Sequence, residues 1–383
     1  MKKVLIIICM LLLLVPNICH TEGELAVNAK SAILVETNTG TIIFEKNMNE
    51  KAAVASLTKM MSQLLILENI EKGTLKWDEV IKVSSNASGY GGTQIYLQPG
   101  EEMTVRDLMK GISMASANDA TVALAERIAG TEEAFVKMMM DKAKQLGLQN
   151  TNFVNPTGLD EENHYSTAYD LSIIARELMK HEQIFEFSSL YEDYLRADTP
   201  NKFWLVNTNK LVRFYEGADG LKTGFTDNAK YCMAVTAKRS GMRLLAIVLG
   251  EDVSKVRNAE TTALLDYGFN LYQVDILKKK GEVVDKIKIE RGNVNEVDVV
   301  TEEEISILKK KNEESKQYAE KIELLELSLP LNKGDIVGKL KILDGNNLIG
   351  EYNLIVNKDV KKKNFCSLFL DNLKDIFVGR LEF

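Results

Sequence analysis

The sequence predicts an α/β domain, in which an antiparallel sheet packs against helices and a helical subdomain, followed by a small all-β domain. Strand-like apolar runs occur at residues 31–46 and again at 220–251, and the segment between them has mainly helical periodicity. Beyond residue 275 the pattern changes to short alternating runs broken by Gly, Asn and Asp. The length of 383 residues favours two domains, with enough apolar content for a sizeable core.

The predicted α/β domain spans residues 25–272. Its first two strands lie in SAILVETNTGTIIFEKN and flank a turn at Thr37–Gly40. Its last two strands meet at a turn of Arg239–Gly241. A predicted helix in SKVRNAETTALLDYGFNLY follows them. Strands at both ends of the domain can form one antiparallel sheet only if the chain returns to its start. Between them, helical runs meet near Ser116, and a third begins with a predicted capping box of Thr167 and Asp170.

The predicted all-β domain covers residues 275–360 and contains no catalytic cluster, which favours a spacer or binding role. Residues 361–383 follow with a lysine triplet and then a predicted amphipathic helix. Its apolar face consists of Phe365, Leu368, Phe369, Leu373, Ile376, Phe377 and Leu381. We predict that this helix attaches the protein to a membrane surface; packing on the β domain or pairing with a partner are the alternatives.

The first residues, Met1-Lys2-Lys3 and the apolar run VLIIICMLLLLV, predict a secretory signal peptide over residues 1–22. The run is too short for a standard membrane span, and a buried first helix is the alternative. We therefore expect an exported protein. The formal net charge of −7 argues against a nucleic-acid partner.

The sequence has too few cysteines and histidines for a disulfide scaffold or a structural zinc site. The four cysteines are Cys9, Cys19, Cys232 and Cys366. The last two are widely separated, so the chain is not a disulfide scaffold, and we expect no metal ion and no cofactor. The sequence has neither a G-x-S-x-G elbow nor an H-E-x-x-H helix. His164, in ENHYSTAYDL, is better interpreted as a hydrogen-bonding loop residue than as a base.

The stretch VASLTKMMSQLLI places Ser56 at the start of a predicted helix and Lys59 one turn later on the same side. This is either an ordinary helix start with a snorkelling lysine or a nucleophile with its base. A lysine base needs its pKa lowered from about 10.4 towards neutrality, which burial and a neighbouring positive charge both favour. Two later motifs favour the second interpretation: Ser116-x-Asn118, at the joint of two helices, and Lys222-Thr223-Gly224, at the start of a strand.

In this order, the three motifs match the S-x-x-K, S-D-N and K-T-G set of class A β-lactamases and penicillin-binding proteins. The stretches ASLTKMM, SANDA, STAYDL, DGLKTGFT and MRLLAIVLG resemble those of low-molecular-mass penicillin-binding proteins, the serine-type D-alanyl-D-alanine carboxypeptidases, over about residues 32–272. The resemblance implies a β-lactamase/transpeptidase-like domain. It also implies that the enzyme removes the terminal D-Ala from peptidoglycan stem peptides that end in D-Ala-D-Ala, and that β-lactam antibiotics inhibit it.

The same resemblance implies the catalytic roles. Ser56 would be the acylated nucleophile and Lys59 its general base, while Ser116 would pass a proton to the leaving amine. The backbone N–H groups of Ser56 and Phe225 would form the oxyanion hole.

Substrate binding is implied for five positions in addition to Phe225. Asn118 would hold the substrate amide, Lys222 would supply positive charge, and Thr223, followed by Gly224, would bind the terminal carboxylate. Arg257 would lie near that carboxylate.

The chain departs from the pattern at Phe225, where other members have histidine, and at Ala117, where some have glycine. The alternatives are a β-lactamase and a non-catalytic penicillin-binding or sensor protein. A β-lactamase usually carries an E-x-x-L-N loop, and the corresponding stretch here, NPTGLDEENHYSTAYDL, does not contain one. A sensor is expected to carry a signalling domain and a true membrane span, and the sequence indicates neither. The motifs do not separate carboxypeptidase from endopeptidase action.

Overall fold

A computed structural model describes residues 25–363, so the predicted signal peptide and nearly all of the predicted terminal helix lie outside the described residues. The α/β part contains the strands β1 (Ser31–Glu36), β2 (Ile42–Lys46), β3 (Val80–Lys82), β4 (Glu102–Thr104), β5 (Glu192–Leu195), β6 (Phe203–Val206), β7 (Ala218–Thr226), β8 (Lys230–Arg239) and β9 (Met242–Glu251). Its helices are α1 (Lys59–Glu71), α2 (Ser85–Ser88), α3 (Val105–Lys110), α4 (Asn118–Ala129), α5 (Glu132–Gln145), α6 (Ala168–Met179), α7 (Phe185–Ser188), α8 (Leu211–Phe214) and α9 (Ser254–Leu271).

The main sheet has the order β2-β1-β9-β8-β7, with every neighbouring pair antiparallel. The predicted return of the chain to its start is confirmed, because β1 pairs with β9 through partners such as Ile33 and Ile247. The predicted turn between β8 and β9 is confirmed too. Ser240 and Gly241 have φ values of 47° and 84°, the left-handed pair that a two-residue hairpin turn requires.

The sheet is buried on both faces, which explains why its central strands are apolar without alternation. Leu245 and Ile247 of β9 belong to the core shared with α1, whereas Leu244 and Ala246 belong to the core on the α9 side. Successive side chains of a strand point to opposite faces, so neighbouring residues enter different cores. The sheet therefore lies between α9 and the helical subdomain.

Helix α1 is surrounded by protein rather than packed on one face. All nine residues from Lys59 to Leu67 are buried, including Ser62 and Gln63. Ser62 Oγ donates to Pro156 O at 2.7 Å, and Gln63 Nε2 donates to Ser113 Oγ at 2.7 Å. Because its polar side chains have partners, a central helix can be buried on every side.

Of the two hydrogen bonds in the capping box predicted before α6, one forms. Thr167 Oγ1 accepts from Asp170 N at 3.0 Å, as the prediction requires. The Asp170 carboxylate accepts from Thr151 Oγ1 at 2.7 Å and from Asn150 N at 2.9 Å. The neighbouring loop supplies these donors, and the aspartate ties that loop to the helix start.

The C-terminal part consists of the strands β10 (Tyr272–Lys278), β11 (Val283–Lys288), β12 (Glu296–Thr301), β13 (Ile305–Lys310), β14 (Ala319–Leu324), β15 (Ile336–Asp344) and β16 (Asn347–Val356). Five strands form a sheet in the order β11-β12-β16-β15-β14, and β10 pairs with β13. β10 and β13 were not predicted from the sequence. Tyr272 and Val274 of β10 pack against the core beside α9, so β10 runs across the predicted boundary between residues 272 and 275. The division into two domains at that point stays a prediction. No helix within residues 25–363 is long and apolar enough to span a bilayer.

Candidate active site

Ser56 lies in a short 3-10 turn, Ala55–Thr58, that leads directly into α1. Lys59 is the first residue of α1, and three residues of helical rise bring its side chain over the turn. Lys59 Nζ lies 2.9 Å from Ser56 Oγ. The spacing of the first motif therefore produces a direct contact between hydroxyl and amine.

Lys59 is completely buried, and its Nζ donates to the carbonyl oxygen of Thr157 at 2.7 Å. Burial lowers the pKa of Lys59 well below its usual value, the positive charge of Lys222 lowers it further, and Asp119 acts in the opposite direction. A neutral amine keeps a lone pair that can accept the Ser56 proton while an N–H binds Thr157. The site thus favours the base form of this lysine.

Lys222 is the second buried lysine of the site, and its Nζ donates to Thr223 O at 2.8 Å. Burial and the nearby Arg257 lower the pKa of Lys222 to about 7. The Lys222–Gly224 motif was predicted at a strand start, but β7 begins at Ala218, so the motif occupies the second half of the strand. The predicted strand start was too late because Ala218, Gly220 and Leu221 also pair with β8.

Thr223 connects this strand to the second motif. Its Oγ1 donates to Thr208 Oγ1 at 2.7 Å, and Thr208 N donates to Met114 O at 2.9 Å, two residues before Ser116. Thr208 was not among the residues predicted from the sequence. No short-range pattern indicates this threonine, because its partner lies on another strand.

Ser116 follows a π-helical segment, Gly111–Ala115, and has a left-handed φ of 64°. Ser116 Oγ and Asn118 Oδ1 are buried and have no hydrogen-bond partner within residues 25–363. Asn118 Nδ2 donates to Gly91 O at 2.7 Å, which orients the amide. A buried polar atom without a partner costs about 1–3 kcal/mol, so both atoms are suited to receive a ligand.

Gly224 brings β7 against the nucleophile turn. A Cβ at this position would lie 3.0 Å from both Ser56 N and Ala55 Cβ, a spacing that leaves little room for a side chain. The next residue, Phe225, has an exposed ring that lies 4.4 Å from the Tyr231 ring, measured between centroids. The predicted place of the Phe225 N–H in the oxyanion hole stays a prediction.

Arg257, in the first turns of α9, is buried behind β8. Its guanidinium donates to Asn258 Oδ1 at 2.8 Å and to Cys232 O at 3.4 Å. It acts on Lys222 through its charge, and none of its hydrogen bonds joins it to Ser56 or Lys59. Its predicted contact with a substrate carboxylate stays a prediction.

The loop of residues 154–164 completes the site, and the sequence analysis missed its part in holding Lys59. Asn155 Oδ1 accepts from Thr157 N at 3.1 Å and from Gly158 N at 2.7 Å, which shapes the loop so that Thr157 O faces Lys59. The Asn-Pro-Thr-Gly stretch is a turn signal that could have indicated such a loop. Within residues 25–363, no group of three or more His, Cys, Asp and Glu side chains is arranged to hold a metal ion.

Comparison with known proteins adds independent observations. Residues 18–253 match the peptidase S11 family, described as D-alanyl-D-alanine carboxypeptidase, and residues 272–362 match the penicillin-binding protein 5 C-terminal domain. The chain is 47% identical over 354 residues to D-alanyl-D-alanine carboxypeptidase DacF from Bacillus subtilis, covering 92% of this chain and 91% of the relative. It is 29% identical over 364 residues to DacA from Escherichia coli, covering 93% and 89%.

Solved structures are similar over most or about two thirds of this chain. Penicillin-binding protein 5 from Haemophilus influenzae superposes with a TM-score of 0.69 at 29% identity, covering 88% of this chain and 98% of that one. The ampicillin-bound form of penicillin-binding protein D2 from Listeria monocytogenes gives a TM-score of 0.57 at 33% identity, covering 63% and 98%. These likenesses confirm the predicted α/β and all-β architecture. The chain belongs to the D-alanyl-D-alanine carboxypeptidase family, peptidase S11.

Proposed function

We propose that this protein is a serine-type D-alanyl-D-alanine carboxypeptidase that removes the terminal D-Ala from peptidoglycan stem pentapeptides and is acylated by penicillins. The observation that carries the proposal is the buried Lys59 amine, 2.9 Å from Ser56 Oγ. A serine hydroxyl attacks a carbonyl only with a base beside it, and a desolvated lysine is such a base. Family membership supplies the substrate class.

In the acylation step, Ser56 Oγ attacks the carbonyl carbon of the penultimate D-Ala while its proton passes to Lys59 Nζ. The N–H groups of Ser56 and Phe225 stabilise the oxyanion, which the close packing of β7 on the turn supports. The carbon–nitrogen bond then breaks, and the leaving amine receives a proton through the hydroxyl of Ser116. D-Ala departs with its free carboxylate.

Substrate binding uses the groups on either side of the pair. Lys222 supplies positive charge and Thr223 a hydroxyl to the terminal carboxylate, and Arg257 adds charge from behind. Asn118 Oδ1, buried and without a partner in the described residues, accepts from a substrate amide N–H. Water subsequently hydrolyses the acyl-enzyme. A penicillin, whose ring amide mimics the scissile bond, leaves an acyl group that is cleared slowly.

Two reactions test this proposal in one preparation of the mature protein. Incubation with a D-Ala-D-Ala-ended peptide is expected to release D-Ala, and a labelled penicillin is expected to label wild-type protein but not Ser56→Ala. Rapid penicillin turnover without D-Ala release would instead favour the β-lactamase alternative. Labelling without release from any stem peptide would favour the non-catalytic penicillin-binding or sensor protein. Absence of both reactions contradicts the catalytic proposal.

We further propose that the exported protein is attached to the outer face of the cytoplasmic membrane by the predicted amphipathic helix that follows the lysine triplet 361–363, a triplet that itself pairs with residues 291–293. The periodic apolar residues of this stretch and the lysine triplet before it support the proposal. Full-length mature protein is expected to sediment with anionic lipid vesicles, and Phe369→Asp combined with Phe377→Asp is expected to abolish sedimentation. Equal sedimentation of both proteins would contradict it.

A further inference from the structure

The residue before the nucleophile has a strained backbone. Ala55 has a φ of 48°, in the left-handed region that an alanine rarely adopts. Such a conformation costs about 1–3 kcal/mol and persists only where surrounding contacts enforce it. Because Ala55 sets the direction in which the chain enters Ser56, these contacts also determine where the nucleophile points.

Two buried contacts hold the Ala55 carbonyl. Thr58 Oγ1 donates to Ala55 O at 2.9 Å. Gly158 packs on the same oxygen so closely that a Cβ there would lie 1.9 Å from it. The carbonyl is therefore fixed by one hydroxyl and by the backbone of the loop that also supplies Thr157 O to Lys59.

His164 lies behind both contacts. Its Nε2 is 2.8 Å from Thr58 Oγ1, and its Nδ1 accepts from Val154 N at 3.2 Å. Thr58 already gives its hydroxyl proton to Ala55, so it must accept from His164 Nε2–H. This pattern requires the neutral ring protonated at Nε2, because a proton at Nδ1 would face the N–H of Val154.

The same ring closes the loop that holds the base. The bond between Val154 N and His164 Nδ1 joins the two ends of the segment 154–164, and Thr157 lies within it. One end of the imidazole thus supports the turn at Ala55, and the other supports the partner of Lys59. The His164 ring makes no hydrogen bond to Ser56 or Lys59 themselves.

We propose that His164 is a positioning residue for the Ser56–Lys59 pair, acting through Thr58 on the turn at Ala55 and through Val154 on the loop that receives Lys59. This inference rests on the proposed function and deepens it, since it assigns the geometry of the acylating pair to a residue that does not touch the substrate. A misplacement of reacting groups by about 1 Å can cost about 100-fold in rate.

Burial keeps the ring in the required neutral form. Burial lowers the pKa of His164 to about 4, Glu161 and Asp160 act in the opposite direction, and Lys59 lowers it further. The ring is therefore neutral throughout the neutral pH range in which acylation is measured. Activity differences between variants at neutral pH then report on geometry and not on ring charge.

The first test compares His164→Asn with His164→Gln in the mature full-length protein. The Gln side chain can place an N–H₂ near Thr58, whereas the shorter Asn cannot reach it. We expect Asn to slow acylation by a labelled penicillin by about 10- to 100-fold and to lower kcat for a D-Ala-D-Ala peptide with little change in KM. Gln is expected to recover much of the loss. His181→Asn, at the other described histidine, is the matched control, because it pairs with Glu71 far along α1.

The second test uses Thr58, in case the histidine variants fold poorly. Thr58→Val removes the hydroxyl with little change of shape and is expected to slow acylation as His164→Asn does, whereas Thr58→Ser is expected to restore it. If both residues act along one path, the double variant His164→Asn/Thr58→Val is no slower than the slower single variant. The inference would be overturned if the losses in acylation rate were additive in the double variant, or if only the KM for the peptide changed. Acylation of Thr58→Val at the wild-type rate would overturn it as well. A wild-type protein that penicillin does not acylate would instead overturn the proposed function.

Discussion

The active site of the α/β part and the surface of the C-terminal β part treat charge in opposite ways. The α/β part buries Lys59, Lys222 and Arg257, and none of the three has a carboxylate within ion-pair distance in residues 25–363. In the β part, lysines lie at the surface beside acidic partners: Lys341 Nζ is 2.6 Å from Glu323 and 3.6 Å from Glu351. Both parts have apolar cores, so the absence of a core does not explain why only one of them buries unpaired cations in the described residues.

Burial explains what the two kinds of lysine can do. Water stabilises the charged form of an exposed lysine, which then contributes little to folding and performs no chemistry. A buried lysine without a carboxylate partner is pushed towards its neutral form, and a neutral amine is a base. The lysines of this chain that can act as bases are therefore those buried where a charge is costly.

The largest expected contrast is between Lys59 and Lys339. Lys59→Met removes the proposed base and is expected to lower acylation by penicillin about 10²- to 10⁴-fold. Lys339→Met, which breaks the surface pair with Glu351 in the β part, is expected to leave the rate unchanged. Stopped-flow acylation of both variants measures the contrast. A Lys59→Met protein that acylates at the wild-type rate would show that another group is the base.

A second contrast compares two glycines that both have positive φ. Gly158 has a φ of 82° and a Cβ there would meet Ala55 O at 1.9 Å, whereas Gly345, with a φ of 60°, has open space around it. Gly158→Ala is expected to lower the free energy of unfolding by about 3–5 kcal/mol, and Gly345→Ala by about 1 kcal/mol. Thermal and denaturant unfolding measure both losses. Similar losses at the two sites would show that the contact on the Ala55 carbonyl is relaxed easily.

The second buried lysine predicts a pH dependence of binding. The pKa of Lys222 is lowered to about 7, so the group is charged below that pH and loses its proton above it. Binding that needs the charged form is expected to weaken about tenfold between about pH 6 and pH 8, following the protonated fraction. The KM of a peptide ending in a free carboxylate measures this trend.

The control for this prediction is the same peptide with an amidated end, whose binding is expected to change little with pH because it carries no carboxylate. Lys222→Met is expected to remove the trend for the free carboxylate. A trend that persists in Lys222→Met would assign it to another group.

The smallest effect is expected at the surface pairs of the β part. Lys341→Met removes contacts with Glu323 and Glu351, but all three side chains are partly exposed and screened by water and salt. We expect the midpoint of thermal unfolding to stay within experimental error at both low and high salt. A clear loss that disappears at high salt would show that these charges act as a network.

The sequence predicted most of the sheet and the order of the motifs, because strand alternation, turns and helical periodicity are local properties. It predicted β1, β2, β8 and β9 and their return to one sheet. It missed β10 and β13; β10 begins at Tyr272 directly after α9 ends at Leu271, so no turn marks its start. It also predicted the contact between Ser56 and Lys59, since three residues of helix place them together. The roles assigned to the site residues stay predictions.

The amino-acid sequence alone predicted an exported chain, an α/β domain with a following β domain, and a serine and a lysine one helical turn apart. The tertiary structure decided that Lys59 is surrounded on all sides, that Thr208 joins Thr223 to the second motif, and that His164 lies under the strained turn. The physical reason is the distance along the chain over which each property is determined. Spacing along a helix or strand is set by neighbouring residues, whereas burial and hydrogen bonding depend on segments about 100 residues apart, such as Thr58 and His164, with a separation of 106 residues.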